Sequence, residues 1–391
     1  MKTHRTYLPS YEDCVNICNS FEKNTFYENK YVIKGYNVSL FNYRLAQYND
    51  FIDPLGTGID AKELRGLCFV FNEDGTVYKR FLLLEKFFNL NQTPESLYEN
   101  VVNYKIKQIN NKEDGSLAGF IALPSGDVVG KSKMGFESPQ AENINKIYNE
   151  NLSIKRFVDF CLNEDIIPIF EYVGPNNRIV LKYKKEQLIL LRLRDNKSGR
   201  YLDINDFRNQ IGDIRIATTV DIQSLDELIE KNRTDINMEG YVIHAEDLEG
   251  YDFFYKLKND WYRTRHGILT NDIHYENKII EYILEDNIDD VLGEIPKDEV
   301  EVIDKINVIL DIVRKEVNTV SNEINELYNI FSEMDFNIKE FALKYHKNIY
   351  FSGVMGKYKN ISTPFESAVK MIGKKTSKLL DARKWLEEKS K

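Results

Sequence analysis

Nine apolar residues, Ile303, Ile306, Leu310, Val313, Val317, Val320, Ile324, Leu327 and Phe331, follow one another at alternating steps of three and four. That spacing returns to one side of an α-helix, so it predicts a single long amphipathic helix and leaves no room there for a strand. A repeat this regular can close a coiled-coil dimer. Packing inside a helical domain is the commoner use of such a stripe and is the expectation here. The stretch from Thr363 to Ser390 also reads as helix, opened by Ser362/Thr363-Pro364.

Upstream of His266 the pattern is different. Short runs rich in β-branched and aromatic residues recur at Leu67–Phe71, Ser116–Ala122, Ile166–Val173, Leu188–Leu193, Gly240–His244 and Phe253–Leu257. Turn signals separate them, among them Asp74-Gly75, Ser125-Gly126 and Pro175-Asn176-Asn177. Helical segments are expected at 138–151 and 221–232. The fold class that follows is α+β, with antiparallel sheets and flanking helices in residues 1–266 and an all-α domain in residues 267–391. A chain of 391 residues is long enough for two cores.

The net charge of -9 argues at first against a polyanionic partner. Its distribution does not. Between Glu281 and Asp304 lie ten acidic residues and one lysine, whereas Lys339 to Lys391 holds thirteen Lys/Arg against five acids. The acidic total conceals a basic C-terminal segment that is either a solvated surface or a contact for a polyanion. Cys14, Cys18, Cys68 and Cys161 are too scattered for a disulfide framework, and Cys14-x-x-x-Cys18 lacks a second pair to complete a zinc site. No apolar run follows the basic start MKTHR and none is long enough to span a bilayer, so an unexported, cytoplasmic protein without a membrane partner is expected.

One lysine stands in a context that suggests chemistry. Lys112, in Asn111-Lys112-Glu113-Asp114-Gly115-Ser116-Leu117, is followed by a glycine that would let the backbone turn tightly and by Asp114 and Ser116, which can brace a turn through Asx-type hydrogen bonds. Alone this fragment reads as a hairpin turn with an exposed lysine. It is followed, however, by Phe170-Glu171-Tyr172-Val173, Leu188-Ile189-Leu190-Leu191, Glu239-Gly240-Tyr241-Val242 and Tyr255-Lys256-Leu257-Lys258, in that order. The series resembles the ordered motifs of lysine nucleotidyltransferases, the superfamily of ATP-dependent ligases and capping enzymes. Arg65-Gly66, the run from Glu85 to Leu90 (EKFFNL), Lys131-Ser132-Lys133, the block from Glu171 to Val180 (EYVGPNNRIV) and the block from Lys256 to His266 (KLKNDWYRTRH) resemble one branch, the phage RNA ligase 1 family. The segment from Tyr345 to Lys359 (YHKNIYFSGVMGKYK) resembles that family's extra helical domain. Residues 1 to about 30 are where the likeness is weakest.

The resemblance implies an ATP-dependent RNA ligase in which Lys112 attacks the ATP α-phosphorus to carry AMP, with Mg2+ as the metal. An unperturbed lysine has a pKa of about 10.4, so its surroundings must favour the neutral amine. Lys256 and Lys258 are two apart in a strand and share one face, where they can hold the ATP phosphates. Arg65 can make a bidentate contact to phosphate, and Lys86 and Lys133 can add further ones. Glu171 and Glu239 sit among apolar neighbours, where a buried carboxylate needs a partner. The roles expected are a hydrogen bond to the ribose hydroxyls for Glu171 and Mg2+ binding, direct or through water, for Glu239 and also Glu171. Phe88 either stacks on adenine or belongs to the core.

The family implies broken tRNA with 3'-hydroxyl and 5'-phosphate ends as the RNA partner, with the helical domain selecting it, in phage-infected bacterial cytoplasm; a monomer is favoured. A DNA ligase, an mRNA capping enzyme and a catalytically idle RNA-binding protein stay open as alternatives. Asp289-Asp290 reads as a solvated helix face sooner than a second cation site, and Gly373-Lys374-Lys375-Thr376 lacks the upstream glycine of a phosphate loop. The five histidines show no metal-binding spacing.

Overall fold

The computed structural model describes residues 8–20, 25–177, 181–222, 224–236, 238–259, 276–286, 288–293, 295 and 300–373. The chain divides into two compact units, Met1–Ile268 and Leu269–Lys391. Segments singled out above at residues 178–180, 260–266 and 374–391, and the side chain of Asp290, lie outside the described residues.

Three sheets build the first unit. The first is a meander of β1 (Phe26–Ile33), β2 (Tyr36–Tyr43), β3 (Leu67–Phe71) and β4 (Val77–Phe81), in that order. A second sheet, ordered β11-β10-β9-β7-β8, comprises β7 (Ser116–Ala122), β8 (Val128–Ser132), β9 (Ile166–Val173), β10 (Gln187–Asp195) and β11 (Tyr201–Leu202). The third, ordered β12-β6-β13-β14-β5, comprises β5 (Phe88–Asn89), β6 (Lys105–Asn111), β12 (Thr219–Val220), β13 (Gly240–Glu246) and β14 (Asp252–Lys258). Pairing is antiparallel throughout the third sheet except for β5, which joins β14 in parallel at Tyr255↔Phe88 and Lys256↔Asn89. The helices Pro139–Glu150 and Leu152–Asn163 flank the second sheet. Ser138 caps the first by accepting from the Ala141 N–H, and Pro139 occupies the first helical position, where a missing N–H costs nothing.

Alternation sorts the third sheet into two faces. Tyr241, Ile243 and Tyr255 bury one side in a local core with Ile109, Leu225 and Leu228. Residues of the opposite parity, among them Val242 and Phe254, pack toward the main core shared with the second sheet. Lys256 and Lys258 belong to that second face, so the two sheets meet across the lysine motifs.

The second unit is helical: Glu276–Leu284, Ile288–Leu292, Val300–Glu333, Ile338–Tyr345, Phe351–Tyr358 and Pro364–Gly373. The long helix runs 34 residues. It buries Ile306, Leu310, Val313, Val317, Val320, Ile324, Leu327 and Phe331, eight of the nine stripe positions, with Ile303 half-buried at its start. The helices Glu276–Leu284, Phe351–Tyr358 and Pro364–Gly373 cover that stripe. The apolar repeat therefore serves a helical domain within one chain. No described helix is long and apolar enough to cross a membrane.

Candidate active site

Lys112 emerges from the end of β6, and its N–H donates to the Gly240 carbonyl at 2.8 Å. On the other side β14 sets Lys258 opposite Gly240 and Lys256 opposite Val242. Gly240 thus lies between two strands that carry lysines. Its φ is +137°, and a Cβ there would stand 2.1 Å from the Leu257 carbonyl oxygen, so only glycine fits.

The Lys112 Nζ meets Glu239 Oε1 at 2.6 Å. Glu239 is buried while Lys112 is partly open to solvent. Glu171 comes to the same place from β9, where it pairs with Leu117 on β7 and Ile189 on β10. Burial pushes the Glu171 carboxyl up to about 8; Lys112 and Arg65 oppose that rise and the charges of Glu239 and Glu113 add to it. Lys112, Arg65, Glu171, Glu239 and Glu113 therefore share one electrostatic neighbourhood.

Gly115 works by close packing. A Cβ on it would fall 2.3 Å from the Tyr172 carbonyl oxygen and 2.7 Å from Val173 Cγ1, and its φ is not among the positive ones. Asp114 and Ser116 both reach beyond the local turn. Asp114 Oδ2 accepts from the Leu181 N–H at 2.6 Å, and Ser116 Oγ donates to Asn177 Oδ1 at 3.1 Å. These two bonds stitch the lysine loop to the segment between β9 and β10.

Arg65 follows the short turn Ala61–Glu63. Its Nη1 donates to the Leu84 carbonyl at 3.3 Å and its guanidinium lies over Phe87 at 5.7 Å, while its buried Nε has no protein partner. Lys86 and Lys133 form a second group around Tyr43, whose ring lies 5.4 Å from the Lys86 Nζ and 4.7 Å from the Lys133 Nζ. Lys131, two residues earlier, is fully buried and donates to the Gly66 carbonyl at 2.6 Å, fixing the residue after Arg65. Phe88 is 5% exposed and packs edge-on against Tyr48 and Phe51, which places its ring in the core; the neighbouring Phe87, beside Arg65, is the more open of the two.

Tyr43, Glu113, Tyr183 and Arg215 were not singled out in the sequence. The bulky ring of Tyr43 at the end of β2 had no motif around it, and the others acquire meaning only through partners distant in the chain.

Among the described residues no group of three or more His, Cys, Asp or Glu side chains is placed to hold a metal ion by itself. Glu171 and Glu239 nonetheless fit a hard divalent cation that takes one or two carboxylates and completes its shell with phosphate oxygens and water. The mutual repulsion that helps raise the Glu171 carboxyl is what such an ion would relieve.

A family model described as RNA ligase, of the phage RNA ligase 1 type, matches residues 63–262, and the chain belongs to this family. A Thermovibrio ammonificans protein provisionally named an RNA ligase is 25% identical over 382 residues, spanning 95% of this chain and 91% of that protein. Among solved structures, an archaeal ATP-dependent RNA ligase (form 2) aligns with a TM-score of 0.48 at 14% identity, over 81% of this chain and 80% of that one. A Naegleria gruberi RNA ligase with pyrophosphate aligns with a TM-score of 0.37 at 14% identity, over 61% and 76% of the two chains.

Proposed function

We propose that this RNA ligase joins a 3'-hydroxyl to a 5'-phosphate through AMP carried on Lys112. The Lys112 Nζ bonds to the ATP α-phosphorus as the α–β anhydride breaks, pyrophosphate leaves and the amine proton is released. AMP then passes to the RNA 5'-phosphate, freeing the lysine, and the 3'-hydroxyl displaces AMP. The observation that carries this proposal is the meeting of Lys112 with Glu239 at 2.6 Å in a site that Glu171 and Arg65 also reach.

A salt-bridged ammonium is no nucleophile. Lys112 must therefore part from Glu239, and the cations of Lys256, Lys258 and Arg65 favour its neutral amine while they hold phosphate. Glu239 and Glu171 would hold Mg2+, which when bound supplies positive charge against the triphosphate. Without a metal on it, the Glu171 carboxyl, raised to about 8 by burial, can donate as well as accept at the ribose hydroxyls; a bound ion would displace that proton and leave it an acceptor only. Gly115 lets the loop approach β9. Lys86 and Lys133, held over Tyr43, are available to further phosphates, and Phe88 supports them from the core.

The proposed substrate is broken tRNA in a bacterial cytoplasm, with residues 269–391 selecting it. Exposed Lys339, Lys344, Lys347 and Lys359 on the helical unit support a polyanionic partner there.

The test is to incubate the protein with Mg2+ and α-labelled ATP, or separately GTP, and look for label on the denatured chain. Labelling by ATP that disappears in Lys112→Ala is the expected result; no adduct, or one that survives the substitution, refutes the mechanism. Offering nicked RNA, single-stranded RNA and nicked DNA then separates the acceptors, and sealing of DNA alone overturns the RNA substrate.

A further inference from the structure

Tyr183 lies between β9 and β10, 70 residues from its partner Glu113. A phenol has one proton to give and lone pairs to receive, and here both are spent on consecutive residues of the lysine loop. The hydroxyl donates to Glu113 Oε2 at 2.9 Å and accepts from the Asp114 N–H at 3.0 Å. The Leu181 N–H, two residues earlier, reaches Asp114 Oδ2 at 2.6 Å. The other oxygen of Glu113, Oε1, receives Arg215 Nη2 at 3.2 Å. The Tyr183 ring is itself wedged against Val173, Ile189 and Ala217. Upstream, the Lys112 N–H is pinned to the Gly240 carbonyl.

We propose that Tyr183, with Arg215 behind it, is a positioning residue for the first chemical step: by bracketing Glu113 and Asp114 it aims the Lys112 side chain at the nucleotide α-phosphorus. This role rests on the mechanism proposed above. Two consequences follow from the geometry. The backbone on both sides of Lys112 is fixed, so its reach is set before the nucleotide binds, and a misplacement of about 1 Å at a reacting centre can cost about a hundredfold in rate. The Glu113 carboxylate, adjacent in sequence to the nucleophile, is also occupied on both oxygens, one by Tyr183 and the other by Arg215.

Closure of an RNA that already bears a 5'-adenylate forms no bond to Lys112, so the two reactions separate aim from general integrity. In Tyr183→Phe, adduct formation from α-labelled ATP at saturating nucleotide should slow at least tenfold, with the KM for ATP and the closure of pre-adenylylated RNA each within threefold of wild type. Arg215 is 45% exposed at its side chain, so Arg215→Met leaves the fold intact even where Tyr183→Phe does not, and should show a smaller loss confined to the same step. Adduct formation within twofold of wild type in both variants overturns the proposal, as does an equal loss in both reactions. A wild-type chain that forms no Lys112-dependent adduct overturns the mechanism and this role together, whereas a normal wild-type adduct with an unaffected Tyr183→Phe overturns this role alone.

Discussion

The Glu171 carboxyl holds its proton up to about pH 8 in the folded chain, against an ordinary value of 4.5. Folding therefore gains most from this group below about pH 4.5, and the gain is lost as pH rises through 8. Glu171→Gln stays neutral at every pH. In protein free of nucleotide and metal, its melting temperature should rise relative to wild type between pH 5 and pH 9, by at least about 2 °C; a difference independent of pH would show that the carboxyl is already ionised. Lys112, Glu171 and Glu239, which the fold brings into one neighbourhood, could be picked out in the sequence because each sits in an ordered motif. The bracket could not. Tyr183 stands between Lys182 and Lys184 with no local pattern, and its value comes from partners that only the folded chain brings near. Gly115 was legible as an indispensable glycine but for a different reason: the Tyr172 carbonyl crowds it and no left-handed turn is involved.

Among the elements, the turn Ala61–Glu63 is tied to β10 by an ion pair removed from water. Arg194 gives Nη1 to Glu63 Oε2 at 2.9 Å and Nη2 to Glu63 Oε1 at 2.5 Å, with further bonds to the Leu83 and Gly199 carbonyls at 2.7 Å. Both side chains are buried. Glu63→Ala leaves an uncompensated guanidinium and should destabilise the first unit by about 3–5 kcal/mol, read in urea unfolding; a loss under 1 kcal/mol would mean that the carbonyls suffice. Because Glu63 precedes Arg65 and Leu83 precedes the Lys86 segment, slower ligation should accompany the lost stability. Strands such as β3, β7 and β9 were legible to the residue because they are apolar runs with turn residues at both ends. The polar β6 (Lys105–Asn111) and the two-residue β5 were not, since their pairing partners come from β13 and β14. The helix Leu152–Asn163 was also missed, hidden by its junction with the preceding one at Asn151, which caps it.

For the whole molecule, the change from period two to period 3.6 near residue 266 marked the passage from sheets to helices, while the net charge of -9 averaged over an acidic stretch and a basic one and described neither. Removing residues 269–391 should leave ATP-dependent labelling of Lys112 within about threefold of the full chain while lowering preference for tRNA over unstructured RNA. Loss of labelling would place part of the chemistry in the helical unit. The third sheet has a consequence for synthesis. Among the described residues, β6, which presents Lys112, pairs only with strands that follow it by long stretches of chain, β12 and β13, and Glu239 borders the latter. At ordinary translation speeds the lysine leaves the ribosome on the order of ten seconds before its carboxylate does. Were Lys112 to carry nucleotide as proposed above, a nascent chain could take it up only after β14 had emerged, and the earliest moment of activity would be written into strand order.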